Sequence, residues 1–223
     1  MDLSKTIHSL GTLSLINFVR KHAERLARHA SPAIAALAPP VIAAADDLEA
    51  AYAARRPLAT LWSQAIAIRD AADEALDGAI SALSYDLLSP SLLDGDRRAT
   101  EYRALFPEGN TRFIQGPDRA ELAQVAGMVA YLEANPEHPM ASRAADLEAK
   151  AAQLTGALGQ AAAAEGALRN TQAVEKERRY QLVRALRKSV SVLRGELASE
   201  KKVDALFPPI AEAKVAEDEP LAA

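Results

Sequence analysis

The chain has 223 residues, of which 26 are Lys or Arg and 30 are Asp or Glu, so its formal net charge is −4. Alanine accounts for 50 residues and aromatic residues for only 4%. This composition favours helices and argues against an all-β sandwich or barrel. The sequence contains no Cys, which excludes disulfides, thiolate metal sites and cysteine nucleophiles.

The beginning of the chain does not lead from basic residues into an apolar segment, so no secretory signal is predicted. The longest nearly uncharged apolar run, residues 31–45, is shorter than the roughly 20 residues that span a bilayer, and Pro39 and Pro40 interrupt it. These features predict a soluble, cytoplasmic protein without a transmembrane segment.

Helical periodicity begins in the first 30 residues. One face of the first predicted helix carries Leu15, Ile16, Phe18, Val19, His22, Ala23 and Leu26. Pro39, Pro40 and Pro57 are expected to divide the following residues, because proline starts helices more readily than it continues them. A long helix is then predicted from Leu58 to about Leu88. Its core stripe is Ile68, Ala72, Leu76, Ala79, Leu83 and Leu87.

A short helix is predicted from about Gly95 to Leu105, before a turn at residues 106–109. A further helix is predicted to start after Gly116-Pro117-Asp118 and to turn at residues 135–139. From about Ala141 to Ala198 no proline occurs, which predicts one bent helix or two stacked helices. The apolar stripe of its last part is Leu182, Leu186, Val190, Leu193 and Leu197.

Short segments recur in order at a spacing of about 100 residues. Residues 47–50 recur as 146–149, residues 91–96 as 191–196, and residues 104–107 as 205–208. Either the chain is duplicated, or helix-forming composition produces these matches by coincidence. We expect an all-α, Ala/Leu-rich helical bundle built from two diverged tandem halves, residues 1–110 and 111–210, packed through coiled-coil-like seams. Residues 211–223 are predicted to form an acidic flexible tail.

A Leu-Phe-Pro motif recurs at the end of each half. Its residues are Leu105, Phe106 and Pro107 in the first half and Leu206, Phe207 and Pro208 in the second. Because proline ends the helix and extends the residue before it, Leu and Phe are free to fold back onto the end of a bundle. A packing role is therefore predicted, with partner docking as the alternative.

No motif in the chain supports a catalytic, cofactor or metal site. His22 and His29 are seven residues apart, whereas helical metal ligands are usually three or four apart, and Glu-x-x-His is absent. Asp94-Gly95-Asp96 lacks the remaining ligands of a calcium loop. Phosphate-binding glycine loops and nucleophile elbows are also absent. An enzyme or ligand-binding bundle without a recognisable motif remains a third alternative.

Two predicted helices carry a basic face opposite their apolar stripe. The basic residues are Arg20, Lys21, Arg25 and Arg28 in the first helix and Arg184, Arg187, Lys188 and Arg194 in the last. Such faces bind anionic lipid, nucleic acid or an acidic partner. Alternatively they are solvated, or are neutralised by the acidic tail or by the acidic residues between 70 and 77.

These observations together predict a non-catalytic helical scaffold or adaptor. It self-associates, as a homo-oligomer, or binds a protein partner through long helix faces. The second hypothesis is peripheral binding to an anionic surface through the two basic faces.

Overall fold

The computed structural model describes residues 7, 9–110 and 118–214, and this part of the chain is all-α, without a β-strand. The helices preceding residue 110 are α1 Thr12–Ala27, α2 Pro32–Ala35, α3 Ala38–Leu87 and α4 Thr100–Leu105. Those that follow residue 117 are α5 Asp118–Ala134, a 3-10 turn Ala141–Arg143, α6 Ala144–Glu196, α7 Glu200–Asp204 and α8 Ile210–Ala213.

The chain divides into two compact units, and each unit draws on both predicted halves. Unit 1 comprises Met1–Thr60 and Gly166–Ala223, and unit 2 comprises Leu61–Glu165. The long helices α3 and α6 therefore each contribute one part to unit 1 and another to unit 2. The boundary predicted at residue 110 lies within unit 2.

The core of unit 1 forms around the apolar face of α1. All seven residues predicted for that face are buried, which confirms the periodicity argument. They pack with Val41 and Leu48 of α3 and with Leu182, Leu186 and Leu193 of α6. Phe207 and Val203 complete the same cluster from the end of the chain.

The core of unit 2 is a second, separate cluster. The last part of α3 contributes Leu76, Ile80, Leu83 and Leu87, and α4 contributes Tyr102 and Leu105. Helix α5 and the first part of α6 supply the opposite side of the cluster. Their buried residues are Val125, Met128, Val129, Leu132, Ala144, Leu147 and Leu154.

The predicted break at Pro57 is wrong. Helix α3 continues through Pro57, so it begins 20 residues earlier than the predicted start at Leu58. Pro39 and Pro40 lie in its first turn, where proline is tolerated because the amide has no intrahelical partner. Pro57 instead removes an interior hydrogen bond, while residues of α3 before and after it are buried with α6 residues in the cores of unit 1 and unit 2.

The short helix before residue 106 begins later than predicted, at Thr100 instead of about Gly95. The intervening residues form a turn in which the Gly95 amide donates to the carbonyl of Leu88 (3.0 Å). Gly95 has φ +79°, a conformation that glycine adopts without steric cost, and Asp94 precedes it at φ +46°. This turn follows the end of α3 at Leu87, and residues 88–99 lie outside any helix.

The first residues of the predicted acidic tail are packed. Ile210–Ala213 form α8, Ala213 is fully buried, and the Asn17 side chain donates to its carbonyl (3.1 Å). Residues 215–223, which contain the rest of the predicted tail, lie outside the described part of the chain. Among the described helices, none combines the length and apolar character that crossing a membrane requires.

Candidate interaction surfaces

Three of the four basic residues predicted on α1 are engaged within unit 1. The Arg20 guanidinium donates to Glu49 through both terminal nitrogens (2.6 and 3.2 Å) and to Asp46 (2.7 Å), and these bonds raise its pKa. Lys21 donates to the Glu212 carbonyl (2.7 Å). Arg25 donates to the Phe207 carbonyl (2.6 Å). Lys21 and Arg25 hold residues 207–212 against α1, and Arg20 joins α1 to α3. Of the four basic residues predicted on α1, Arg28 is the exposed one.

The predicted basic face of α6 is different. Arg184, Arg187 and Lys188 are exposed, and no carboxylate of the described residues lies within 4 Å of them. Tyr180, one turn earlier, is 61% exposed. Arg194 belongs to the predicted set but pairs with Glu200 (2.9 Å). We call Tyr180, Arg184, Arg187 and Lys188 the α6 basic surface.

Charge is distributed unequally between the units. Unit 1 contains 18 Lys and Arg against 14 Asp and Glu, a net charge of +4, whereas unit 2 contains 8 against 16, a net charge of −8. These values add to the −4 of the whole chain. The α6 basic surface therefore belongs to the cationic unit.

The two Leu-Phe-Pro motifs place their Phe side chains in the two cores. Phe207 is buried in unit 1, where its ring stacks on His22 with centroids 3.9 Å apart and planes at 8°. Phe106 is buried in unit 2 beside Tyr102, with centroids 5.1 Å apart. Leu105 and Pro208 are buried, Leu206 is partly buried, and Pro107 is exposed. Neither motif presents its aromatic ring to a partner.

His22 is the most enclosed polar group near the Leu-Phe-Pro motif of unit 1. Its Nδ1 lies 2.8 Å from the Leu206 carbonyl and its Nε2 lies 3.2 Å from the Ser189 hydroxyl. Because the Leu206 carbonyl can only accept, Nδ1 carries the proton of the neutral ring. Burial lowers the pKa of His22 to about 4. The ring is therefore neutral at pH 7, with both nitrogens occupied by hydrogen bonds.

A buried carboxylate links three helices of unit 1. Thr12 donates to Glu175 Oε1 (2.9 Å), and Arg55 lies 3.2 Å from Glu175 Oε2. The same guanidinium lies 5.2 Å from the centroid of the Tyr52 ring. The arginine compensates the charge of a carboxylate that is 10% exposed, so this cluster serves to join α1, α3 and α6.

Helix α3 has an exposed face that was not predicted from the sequence. Leu61 is 52% exposed, Ile68 is 53% exposed and Tyr85 is 79% exposed, so the prediction of Ile68 in the core stripe is wrong. Uncharged residues continue this face at alternating steps of three and four. The complete set, which we call the α3 seam, is Leu61, Gln64, Ile68, Ala71, Ala75, Gly78, Ala82 and Tyr85, all of them exposed.

The seven-residue period of the α3 seam is visible in the sequence and could have predicted this face. Steps of three and four without a single charge are the pattern of a helix that pairs with another helix. The core stripe of the same helix, which includes Leu76, Leu83 and Leu87, obscured it because both stripes have similar composition. Of that stripe, these three residues are buried, and Ala72 and Ala79 pack against them.

Within the described part of the chain, no three His, Asp or Glu side chains are grouped to hold a metal ion. A cavity of about 330 Å³ lies at the end of α3, lined by Ser81, Ser84, Tyr85, Ser89, Arg97 and Asn110 among others. Ser84 shares a hydrogen bond with the Tyr102 hydroxyl (3.2 Å). None of these residues forms a nucleophile–base pair. No protein-family model, curated protein or solved structure matches the chain.

Proposed function

We propose that this protein is a non-catalytic helical scaffold or adaptor that self-associates or binds a protein partner through the α3 seam. The observation that carries the proposal is the exposure of Leu61, Ile68 and Tyr85 on one uncharged helix face. Exposed apolar side chains occur singly on most proteins, whereas a continuous stripe of them indicates an interaction surface.

The size of the α3 seam is sufficient for a specific contact. Leu61 is 52% exposed, Ile68 is 53% exposed and Tyr85 is 79% exposed, so together with its smaller residues the seam offers on the order of 500 Å² per molecule. A helix of similar size on the partner brings the total to roughly 1,000 Å², the lower limit for a specific interface. The rim of such a contact would be partly polar, since Thr60, Glu74 and Ser81 flank the seam on one side.

The proposal is tested by sedimentation velocity on two matched double variants. Leu61→Glu/Ile68→Glu places two charges on the seam, whereas Ile42→Glu/Val174→Glu places two charges on exposed apolar residues elsewhere. We expect the wild type and the second variant to form the same oligomer and the seam variant to be monomeric. Self-association through the seam is contradicted if both variants sediment as the wild type does.

A second candidate function is peripheral binding to an anionic surface, acidic lipid or nucleic acid, through the α6 basic surface. It is supported by the three exposed cations that have no carboxylate partner among the described residues. Each such cation contributes about 1 kcal/mol near an anionic membrane, so three give weak binding without an inserted apolar group. This magnitude places it second to the α3 seam.

The second candidate is tested with phosphatidylserine vesicles and with duplex DNA at low and moderate salt. Binding should disappear as salt rises and should be lost in Arg184→Glu/Arg187→Glu/Lys188→Glu. The matched control, Arg97→Glu/Arg98→Glu/Arg103→Glu, reverses three exposed cations of unit 2. Unchanged binding in the first triple variant would remove this function.

We also propose that the chain arose by duplication of a helical unit. The order of elements supports this, because a helix of 16 or 17 residues precedes one of 50 or 53 residues in both halves. The turn between them is similar as well. His29 Nδ1 accepts from the Ser31 amide, and His138 Nδ1 accepts from the Met140 amide, both at 3.1 Å.

A further inference from the structure

The central six residues of the α3 seam divide into a bulky end and a small end. Leu61, Gln64 and Ile68 come first along the helix, and Ala71, Ala75 and Gly78 follow. All six residues are exposed, and all six belong to unit 2. The centre of the seam is therefore wide at Leu61 and narrow at Gly78, and Ala82 and Tyr85 continue the seam beyond it.

We infer that the partner of the α3 seam is the same seam of a second copy of this chain, running antiparallel about a two-fold axis between residues 69 and 70. This inference rests on the proposed function and specifies its partner. In this register Leu61 faces Gly78, Gln64 faces Ala75, and Ile68 faces Ala71, each pair occurring twice. Every bulky residue meets a small one, so the two helix axes stay at an even distance.

A parallel pairing of the same seams packs poorly. Leu61 would face Leu61 and Ile68 would face Ile68, which pushes the helices apart at that end. Gly78 would then face Gly78 across a gap, and an unfilled gap loses the contacts of its lining. The distribution of residue sizes thus selects the antiparallel arrangement.

The positions that flank the seam allow a close approach. On one side they are Ala65, Ala72 and Ala79, and on the other Thr60, Ala67, Glu74 and Ser81. In the antiparallel register Glu74 lies opposite Ala67, so the flanking residues bring no like charges directly together. The small side chains let the backbones approach, as ridges pack into grooves at 8–10 Å between helix axes.

The seam is complementary to itself, which favours a second copy over an unrelated helix. A two-fold axis presents the same residues from both molecules. The bulky end of each copy therefore contacts the small end of the other. Six facing positions from each copy form the centre of the contact, which approaches the roughly 1,000 Å² of a specific pair when Ala82 and Tyr85 are covered as well. Binding of a different protein to the seam is an alternative result of the test below.

The test uses disulfide formation between single-cysteine variants, since the natural chain contains no Cys. Leu61→Cys and Gly78→Cys chains are oxidised separately and after mixing, and the products are separated without reductant. A Cβ built at Gly78 meets no atom within 4 Å, so cysteine fits there. We expect a disulfide-linked dimer only in the mixture. Leu61→Cys mixed with Ala71→Cys, which is one heptad out of register, should give none.

The alternative results are distinguishable from a failure of the proposed function. Disulfide formation by each variant alone would overturn the antiparallel arrangement and establish a parallel one. A wild-type dimer together with no disulfide in any mixture would overturn this register but leave self-association. A wild type that is monomeric at all concentrations would overturn the inference. If a different protein then binds the seam, the inference fails while the proposed function stands.

Discussion

His22 makes the stability of unit 1 depend on pH. Its pKa is about 4 in the folded chain and near 6.5 when unfolded, so the unfolded state binds the proton first as pH falls. The free energy of unfolding should therefore be highest above pH 6.5 and should fall by about 3 kcal/mol between pH 6.5 and 4. The causes are burial of the ring and the nearby positive charge of Arg25.

Urea denaturation of the wild type and of His22→Asn at pH 7.5, 6, 5 and 4.5 measures this dependence. The variant is expected to be less stable at pH 7.5 but to lose less stability on acidification. His138, whose pKa is also lowered by burial, acts in the same direction and is present in both proteins. Identical losses in the two proteins would show that His22 does not titrate as proposed.

Phe207 should be far more important for stability than an exposed aromatic residue of the same unit. Its ring packs on His22 and Phe18 in the core, so Phe207→Ala should lower the free energy of unfolding by about 3–5 kcal/mol. Tyr180→Ala removes an exposed ring and should change it by less than about 0.5 kcal/mol. Comparable effects of the two changes in urea denaturation would contradict this assignment.

At the scale of single residues, local pattern predicted burial better than it predicted partners. The apolar face of α1 followed from spacing alone, because the period of a helix is fixed. The roles of Lys21 and Arg25 did not, since their acceptors lie more than 180 residues away in the sequence. Ile68 was misplaced because an apolar residue at the border of two stripes satisfies either.

At the scale of the helix, α3 is destabilised by a proline in its interior. Pro57 lies in the helix interior, where it lacks the amide that would donate to the preceding turn. Replacing it with alanine restores that bond, so Pro57→Ala should raise the free energy of unfolding by about 1–3 kcal/mol. Thermal and urea denaturation measure the gain. A loss of stability would indicate that the chain is divided at Pro57 after all.

At the same scale, composition and the periodicity of apolar residues predicted that the helices exist. They did not predict where α3 and α4 begin. Proline gives a strong local signal for a helix end, and packing overruled it at Pro57. The positive-φ turn at Gly95 lies where a helix was predicted to begin, and α4 begins instead at Thr100. The spacing of residues in the sequence does not show how much apolar burial elsewhere in the chain offsets a lost hydrogen bond. The observed starts of α3 and α4 therefore differ from the predicted ones.

At the scale of the whole molecule, each compact unit needs residues from both predicted halves. The core of unit 1 unites α1 with Leu182, Leu186 and Phe207, which lie beyond residue 110. A fragment of residues 1–110 should therefore lack both complete cores and show no cooperative thermal transition by circular dichroism, whereas the full chain should show one. A cooperatively folding fragment would contradict the division into these units.

The central claim is that an outward face of α3, and no interior chemistry, performs the function. Sedimentation equilibrium of the wild-type chain over a range of concentrations, at about 0.1 M and about 1 M salt, tests it most directly. The seam is uncharged and lies in a unit of net charge −8, so we predict a mass twice that of the 23.7 kDa chain that persists or strengthens at high salt. A mass of one chain at every concentration and salt would contradict self-association.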